Sequence, residues 1–527
     1  MLDRHRDDFR AMPAAPTTLE LEGKPLSFAQ LAAIAAGSVR LTAGATAMQR
    51  VYAARQVLED HIAAGHPVYG ATTGVGAMKD VSWTPGDRNQ FNLGLVQAHS
   101  FGIGEAFAPG VIRSAMAIRI NMALGGHVGV TGELVQMYLA MLRADLVPLV
   151  RRMGSIGCAD IGLMGQIGAV LTGAGEVYAQ GRIMPAGAAL AQAGIAPMIF
   201  APRDSLASVS TNAVAFAAAA HALRDAAGVV RMALAVGLTA ARALGASRAP
   251  WQAARRLGSP HEAIIGAWLD DQAAACDWTE ATQVQDPLSL RMMAQVFGAV
   301  LDSLLASGRT LLAATGRSDD NPVVVDGRVL TSGGSLPLDV VLCLQMVQLA
   351  LAHVARNGFN RCVLLGNGGR RGLPVNLVPP GTIATGMGPV IKLAGELFAR
   401  VLALSGPVSA QAMVVAGGVE DEASFLPLVV ERLEQQVADL RYLAALEGML
   451  TAQALDIAGD TPKGVARLVH DIVRAQAGFS RADRPLSREL EAITAELAGE
   501  NDMAALVELA GLPGIDGFFA LGPTPAV

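Results

Sequence analysis

Two stretches of the chain carry side chains suited to proton transfer or nucleophilic chemistry. The first is Val68-Tyr69-Gly70-Ala71-Thr72-Thr73-Gly74-Val75-Gly76, in which three glycines and two threonines predict a loop rather than a helix. Its one large polar group is Tyr69, which either anchors the loop through its hydroxyl or serves as an acid or base once its pKa is pulled down. The second is Arg151–Gln166, where Gly154 and Gly157 permit a tight backbone and apolar residues dominate after Asp160. An acid at such a junction suits a helix N-terminus, where free amides and the dipole favour negative charge. Asp160 is therefore either a plain N-cap or an anion able to accept a cationic group. Cys158, just before it, is either a nucleophile activated by the helix end or a small buried filler; no histidine is adjacent in sequence. His99 closes an apolar run, a place for a core or capping histidine as much as for a catalytic one.

These residues need elements to hold them. Helical spacing covers Leu26–Ala36, Ala45–Ala64, Gln90–His99, Ala115–Leu124 and Thr131–Ala144. Beyond Gly181 the apolar pattern lengthens: Ser210–Leu244, Leu288–Thr315, Leu338–Asn357, Gly388–Ser405 and Leu426–Ile457 predict long helices. The expected class is all-α, an elongated antiparallel bundle with an N-terminal loop-rich helical lobe. The expected division is 1–205, 206–458 and a C-terminal helical segment, 459–527, ending in a loose Gly522-Pro523-Thr524-Pro525 tail. The clearest strand signal is Pro322–Val325 against Arg328–Leu330 across Asp326-Gly327, a hairpin dipeptide. Gly366–Gly372 superficially resembles a phosphate-binding loop, but no strand–loop–helix unit surrounds it.

Composition narrows the partners. Hydrophobic residues make up 52% and charged residues only 16%, so subunit contacts are expected to cover part of the surface. A net charge of −6 without a basic run gives no field for nucleic acid. Cys158, Cys276, Cys343 and Cys362 show neither disulfide nor metal-ligand spacing, so no metal is expected. Met1–Arg10 is charged and lacks an apolar signal core, and His221 and Arg231 interrupt the segments Ala213–Leu223 and Val229–Ala240. The expectation is a cytoplasmic chain without a membrane span.

Six segments in order resemble the aromatic amino acid lyase family of histidine, phenylalanine and tyrosine ammonia-lyases and related aminomutases. They are Tyr69–Gly76, Asn92–His99, Arg119–Gly126, Gln285–Val296, Asp319-Asp320-Asn321-Pro322 and Glu420-Asp421. The resemblance implies a homotetramer of long helices with shared active sites and a small amino acid or carboxylate substrate. It implies that Tyr69 removes the β-proton, that Arg291 holds the substrate carboxylate through its guanidinium fork, and that Asn321 acts with them. His99 would read the substrate ring, with Gln285 and Glu396 as further binding residues. It also implies an electrophile, methylidene-imidazolone, made from an internal Ala-Ser-Gly whose serine hydroxyl leaves as water.

Here the sequence departs from the family. The segment reads Gly157-Cys158-Ala159-Asp160, and neither possible register places a hydroxyl at the middle position. Ser155 does not substitute, since family members carry that serine as well. The electrophile is therefore expected to be absent. The family's Gln-Asp-x-Tyr tyrosine is Leu288, and in the helix expected to bring in a Gln and a Glu only Glu396 could serve. The reading is an ammonia-lyase-like enzyme that β-eliminates from an amino acid or related carboxylate without that cofactor. The alternative is a catalytically silent paralogue that binds a small carboxylate or assembles with an active lyase.

Overall fold

The computed structural model describes residues 17–280, 283–411, 413–497 and 511–522; Met1–Arg10, Pro523 onward and part of the 459–527 segment lie outside them. The described chain is predominantly helical, and it divides into two units. The first comprises Met1–Ala217, Ala313–Leu336 and Met413–Glu422; the second comprises Ala218–Leu312, Pro337–Ala412 and Ala423–Val527. The expected sequential boundaries are thus replaced by interleaved ones. The chain leaves the first unit inside the Ala213–Leu244 helix, and later returns twice with short segments.

In the first unit, Pro109–Leu124 is buried on nearly every face, longer than its apolar spacing suggested because Pro109 opens it at a position where a missing N–H costs nothing. Short strands hold the loops between helices. Thr17–Leu21 pairs in parallel with Val39–Ala43, so residues expected to link two helices form a strand. Ile103–Ala106 pairs antiparallel with Arg151–Met153, which places the Gly154–Asp160 loop at the end of a ladder rather than in a free turn. The Val323–Val325 and Arg328–Leu330 hairpin forms across Asp326-Gly327 as its dipeptide predicts.

In the second unit, Leu338–Asn367, Ile391–Ala403 and Leu426–Ile457 pack on one another, and Gly464–Gln476 and Ser487–Leu497 pack against the last of these. A buried ion pair ties two of them: Arg361 donates to Glu447 Oε1 at 2.5 Å and Oε2 at 2.9 Å. Gln436 donates to the Gln348 carbonyl at 3.1 Å and the Val401 carbonyl at 2.9 Å, cross-linking three helix backbones. The expected helix Leu288–Thr315 is broken at Met292 into Leu288–Arg291 and Met293–Ala314. The first fragment is tied sideways, its Ser289 carbonyl accepting from Asn357 at 3.0 Å.

Among the described residues Asp204–Leu244, Met293–Ala314 and Leu338–Asn367 are long and apolar enough to cross a membrane by length and composition. The most apolar window of Asp204–Leu244 is 94% buried inside the protein, so the chain's own packing accounts for its hydrophobicity.

Candidate active site

Tyr69 sits in a loop, as the glycines predict, but the loop is pinned. Val68 and Ala71 bury themselves against Leu58, and the Thr72 hydroxyl accepts from the Val68 amide at 2.8 Å. Gly70 adopts φ +64°, and a Cβ there would meet the Leu206 side chain at 2.2 Å, so glycine is required on both counts. The turn leaves Tyr69 half-buried, its phenol oxygen accepting from the Gly76 amide at 2.8 Å. Burial pushes the phenol above its ordinary pKa. The Gly76 amide opposes that, while the negative charge of Glu420 adds to it.

The phenol faces a cavity of about 730 Å³ whose wall also includes His99, Cys158, Ala159, Asn321, Ser335 and Glu420. The structure thus gathers Tyr69, His99, Asn321 and the degenerate Cys158-Ala159 segment, all expected site residues. His99 ends the Arg88–Ala98 helix, and its Nδ1 lies 2.7 Å from the Leu95 carbonyl. A carbonyl only accepts, so Nδ1 carries the hydrogen, and in the neutral ring Nε2 is left as an acceptor. Gly165 fixes the histidine's place, since a Cβ there would fall 2.1 Å from the His99 carbonyl oxygen. Asn321 Oδ1 accepts from the Ser332 amide at 3.0 Å.

Beneath Asn321, Asp320 joins two buried arginines. Arg119 donates to it at 2.8 and 3.0 Å, and Arg203 at 2.7 Å. Arg203 also donates to the Asn321 carbonyl at 3.3 Å. Here the Arg119 and Asp319–Pro322 motifs meet in space: Asn321 lines the cavity, while Arg119 and Asp320 support it from behind.

The loop that closes the other side is held through its backbone. The Ala159 amide donates to the Ser335 carbonyl at 3.0 Å and the Asp160 amide to the Thr211 carbonyl at 2.9 Å. Ala159 adopts φ +60°, and the Cys158 thiol lies 3.4 Å from the Ser335 hydroxyl. Burial pushes the Cys158 thiol up, with the Ser335 hydroxyl opposing, so the thiolate a nucleophile needs is disfavoured.

Asp160 stands at the N-cap position of the Ile161–Leu171 helix, as expected, but its side chain makes no capping bond there. It is fully buried and is not among the cavity's lining residues; its Oδ2 accepts from the Ala215 amide at 2.7 Å, in the first turn of Ala213–Leu244. Its carboxylate therefore does not face the cavity, where the expected substrate ammonium would lie. Arg291, Gln285 and Glu396 belong to the second unit and are not among the residues lining this cavity. Arg291 ends the Leu288–Arg291 helix with its Nε buried and without a partner, and Gln285 and Glu396 are exposed.

Glu420 is the functional candidate that sequence reasoning passed over. Its Glu420-Asp421 motif is visible in the sequence, but nothing in the sequence pattern favours it over Glu396. Glu420 reaches the cavity because Val415 and Glu420 exchange backbone hydrogen bonds across a tight turn, and the Ala416–Gly418 turn packs against the Gly76–Met78 turn of the tyrosine loop. No lysine or arginine is among the residues lining the cavity, and among the described residues no group of three or more His, Cys, Asp or Glu side chains is arranged to hold a metal ion.

With this geometry in place, comparison with known proteins is informative. The sequence profile of the family described as aromatic amino acid lyase matches residues 26–475. A histidine ammonia-lyase from Paracidovorax citrulli is 28% identical, covering 92% of this chain and 96% of the relative. A crystal structure of the ergothioneine-degrading enzyme ergothionase from Treponema denticola, in complex with desmethyl-ergothioneine sulfonic acid, superposes with a TM-score of 0.87 at 27% identity, covering 91% of this chain and 98% of that one. Histidine ammonia-lyase from Trypanosoma cruzi shares the fold with a TM-score of 0.86 at 21% identity, over 97% and 99% of the two chains. The chain belongs to the aromatic amino acid lyase family. Its all-α fold of long helices is the fold of these relatives.

Proposed function

We propose that this chain is a carbon–nitrogen lyase that works without methylidene-imidazolone and therefore acts on a carboxylate whose amine is already activated for departure. The observation that carries the reading is the pairing, in one cavity, of a positioned phenol and a carboxylate (Tyr69 and Glu420) with a loop that has no hydroxyl to shed. The residues present do not fit the family electrophile. Thiol, methyl and carboxylate occupy Cys158, Ala159 and Asp160, and the amides of Ala159 and Asp160 are both committed to carbonyls. Losing such an electrophile costs a primary amino acid on the order of 8 kcal/mol, or roughly a million-fold in rate.

An amine that leaves without an electrophile must stay cationic until its bond breaks. A primary ammonium loses its proton readily; a quaternary ammonium has none to lose. The compound that ergothionase is named for degrading supports this choice, since ergothioneine is a trimethylammonio carboxylate bearing a thioimidazole ring. In the proposed reaction Tyr69 takes the β-proton, and the electron pair forms the double bond as trimethylamine departs from the α-carbon. Burial is the main force raising the phenol's pKa and the Glu420 charge adds to it; a cation beside Glu420 would offset that second contribution and ease the phenol's ionisation. Val415 and Val419 beside Glu420 suit methyl groups rather than an ammonium needing acceptors. The acceptor face of His99 selects a ring bearing an N–H.

The substrate carboxylate needs a cation that the cavity's own lining lacks. We assign Arg291 to that role by the family resemblance, supplied by a second copy of the chain in a homotetramer. The test compares ergothioneine and the trimethyl betaine of histidine with histidine itself, following the absorbance of the conjugated acid. At least about a thousand-fold preference in kcat/KM for the betaines is expected. Equal turnover of histidine would overturn the reading.

A further inference from the structure

Ser155 has one hydroxyl hydrogen and two acceptors waiting for it. Its Oγ lies 3.2 Å from the Ala159 carbonyl and 3.3 Å from Asp160 Oδ1, while the Gly157 amide donates to it at 3.0 Å. The carbonyl has no hydrogen of its own to offer, so when Ser155 donates to Ala159 the contact with Asp160 is a bond only if the carboxyl brings the hydrogen. The surroundings supply no cation to hold a charged Asp160. Facing it are its own loop's Ser155 hydroxyl, the Ala215 amide at the positive end of the Ala213–Leu244 helix, and Asp319 from the turn beside it. Behind Asp319 stand Asp320, Arg119 and Arg203, and both guanidiniums are already bound to Asp320. Asp319 Oδ2 takes the Asn212 amide at 2.6 Å and side-chain nitrogen at 3.0 Å, leaving Oδ1 buried and without a donor. The cluster is rich in acceptors and short of hydrogens.

We propose that Asp160 keeps its proton far above the usual carboxylate range, and that in this protonated form its O–H, donated to Ser155, positions the Cys158–Ala159 wall of the cavity. The opposing influence is the helix end, whose amide and dipole favour the anion by up to about 2 kcal/mol. Removing a carboxylate from water costs several kcal/mol, so burial wins. Burial is indeed the main force raising this carboxyl to about 7; the Ala215 amide opposes it, the Asp319 charge adds to it, and a hydrogen bond donated by the Ser155 hydroxyl to the anion also opposes it, yet burial prevails; Asp319 itself is raised to about 6. Asp160 is thus a positioning residue, acting on substrate only through the loop it fastens.

Because the folded pKa lies above the unfolded value, the folded chain holds an extra proton between them. This group's contribution to stability therefore falls as pH rises from about 4 through about 7. Asp160→Asn keeps the shape and a donor toward Ser155 but cannot ionise. Infrared spectra of the wild type just below pH 7 are expected to show a protonated-carboxyl carbonyl band that fades as pH rises through about 7 and is missing in D160N; in D319N, which removes a charge that raises Asp160, the fading should move to lower pH. The melting temperature of D160N should lose that segment of pH dependence. On a betaine substrate, D160A should lower kcat by about tenfold or more through a displaced wall, and D160N should recover most of it. A wild type without the band, or a D160N that keeps it or melts with wild-type pH dependence, would overturn the proposal. The activity arm rests on the cavity's being the lyase site. The infrared and melting arms do not, so the two ideas fail separately.

Discussion

Tyr69→Phe is expected to lower kcat on a betaine substrate by about a thousand-fold while leaving the protein folded. The size follows from the role: a positioned general base contributes roughly a hundred- to ten-thousand-fold, and nothing else on the cavity wall combines its reach with its basicity once ionised. Folding should be nearly indifferent, because the phenol oxygen accepts one hydrogen bond, from Gly76, whose net worth is about 1 kcal/mol. Steady-state kinetics and a thermal melt on the same preparation check both halves. Full activity in the variant would move proton abstraction to another group.

Asp320→Ala is expected to be the most destabilising single change at the site, by about 3–5 kcal/mol or more. The wild-type carboxylate is fully buried and holds two guanidiniums that are almost as deeply buried, Arg119 and Arg203. Its removal leaves two positive charges out of water without the carboxylate that binds both, and repulsion between them is no longer offset by it. The loss should appear as a lower urea midpoint, with activity lost alongside it, since Arg203 also holds the Asn321 carbonyl under the cavity. An Asp320→Ala protein that unfolds at the wild-type urea concentration would show that the arginines find other partners. The contrast with Tyr69→Phe is useful: one change removes chemistry and spares the fold, and the other removes the support.

Much of this was readable before any coordinates. Leu426–Ile457 is a helix over the expected residues, and Asp326-Gly327 turns the expected hairpin, because apolar spacing and turn chemistry are local properties. The tyrosine loop was legible for the same reason, its three glycines forbidding a regular element. What escaped depends on contacts between distant residues. Asp160 looks like the cap of the helix it begins, yet its carboxylate turns to Ala215, more than fifty positions later. Val39–Ala43 reads as a linker and becomes a strand only because Thr17–Leu21 lies beside it. Glu420 carries no periodicity that sets it apart from Glu396; its place is decided by a turn that stacks on Gly76–Met78. The interleaving of the two units leaves no mark in composition at Ala313 or Met413.

The central claim is chemical: no electrophilic ring forms between Gly157 and Ile161. Denaturing mass spectrometry of the intact chain, with peptide mapping of that segment, tests it most directly. The account predicts the mass of the unmodified sequence and an ordinary Cys158-Ala159-Asp160 backbone. A chain lighter by the two waters that cyclisation and dehydration release, with the loss mapped to those residues, would contradict it.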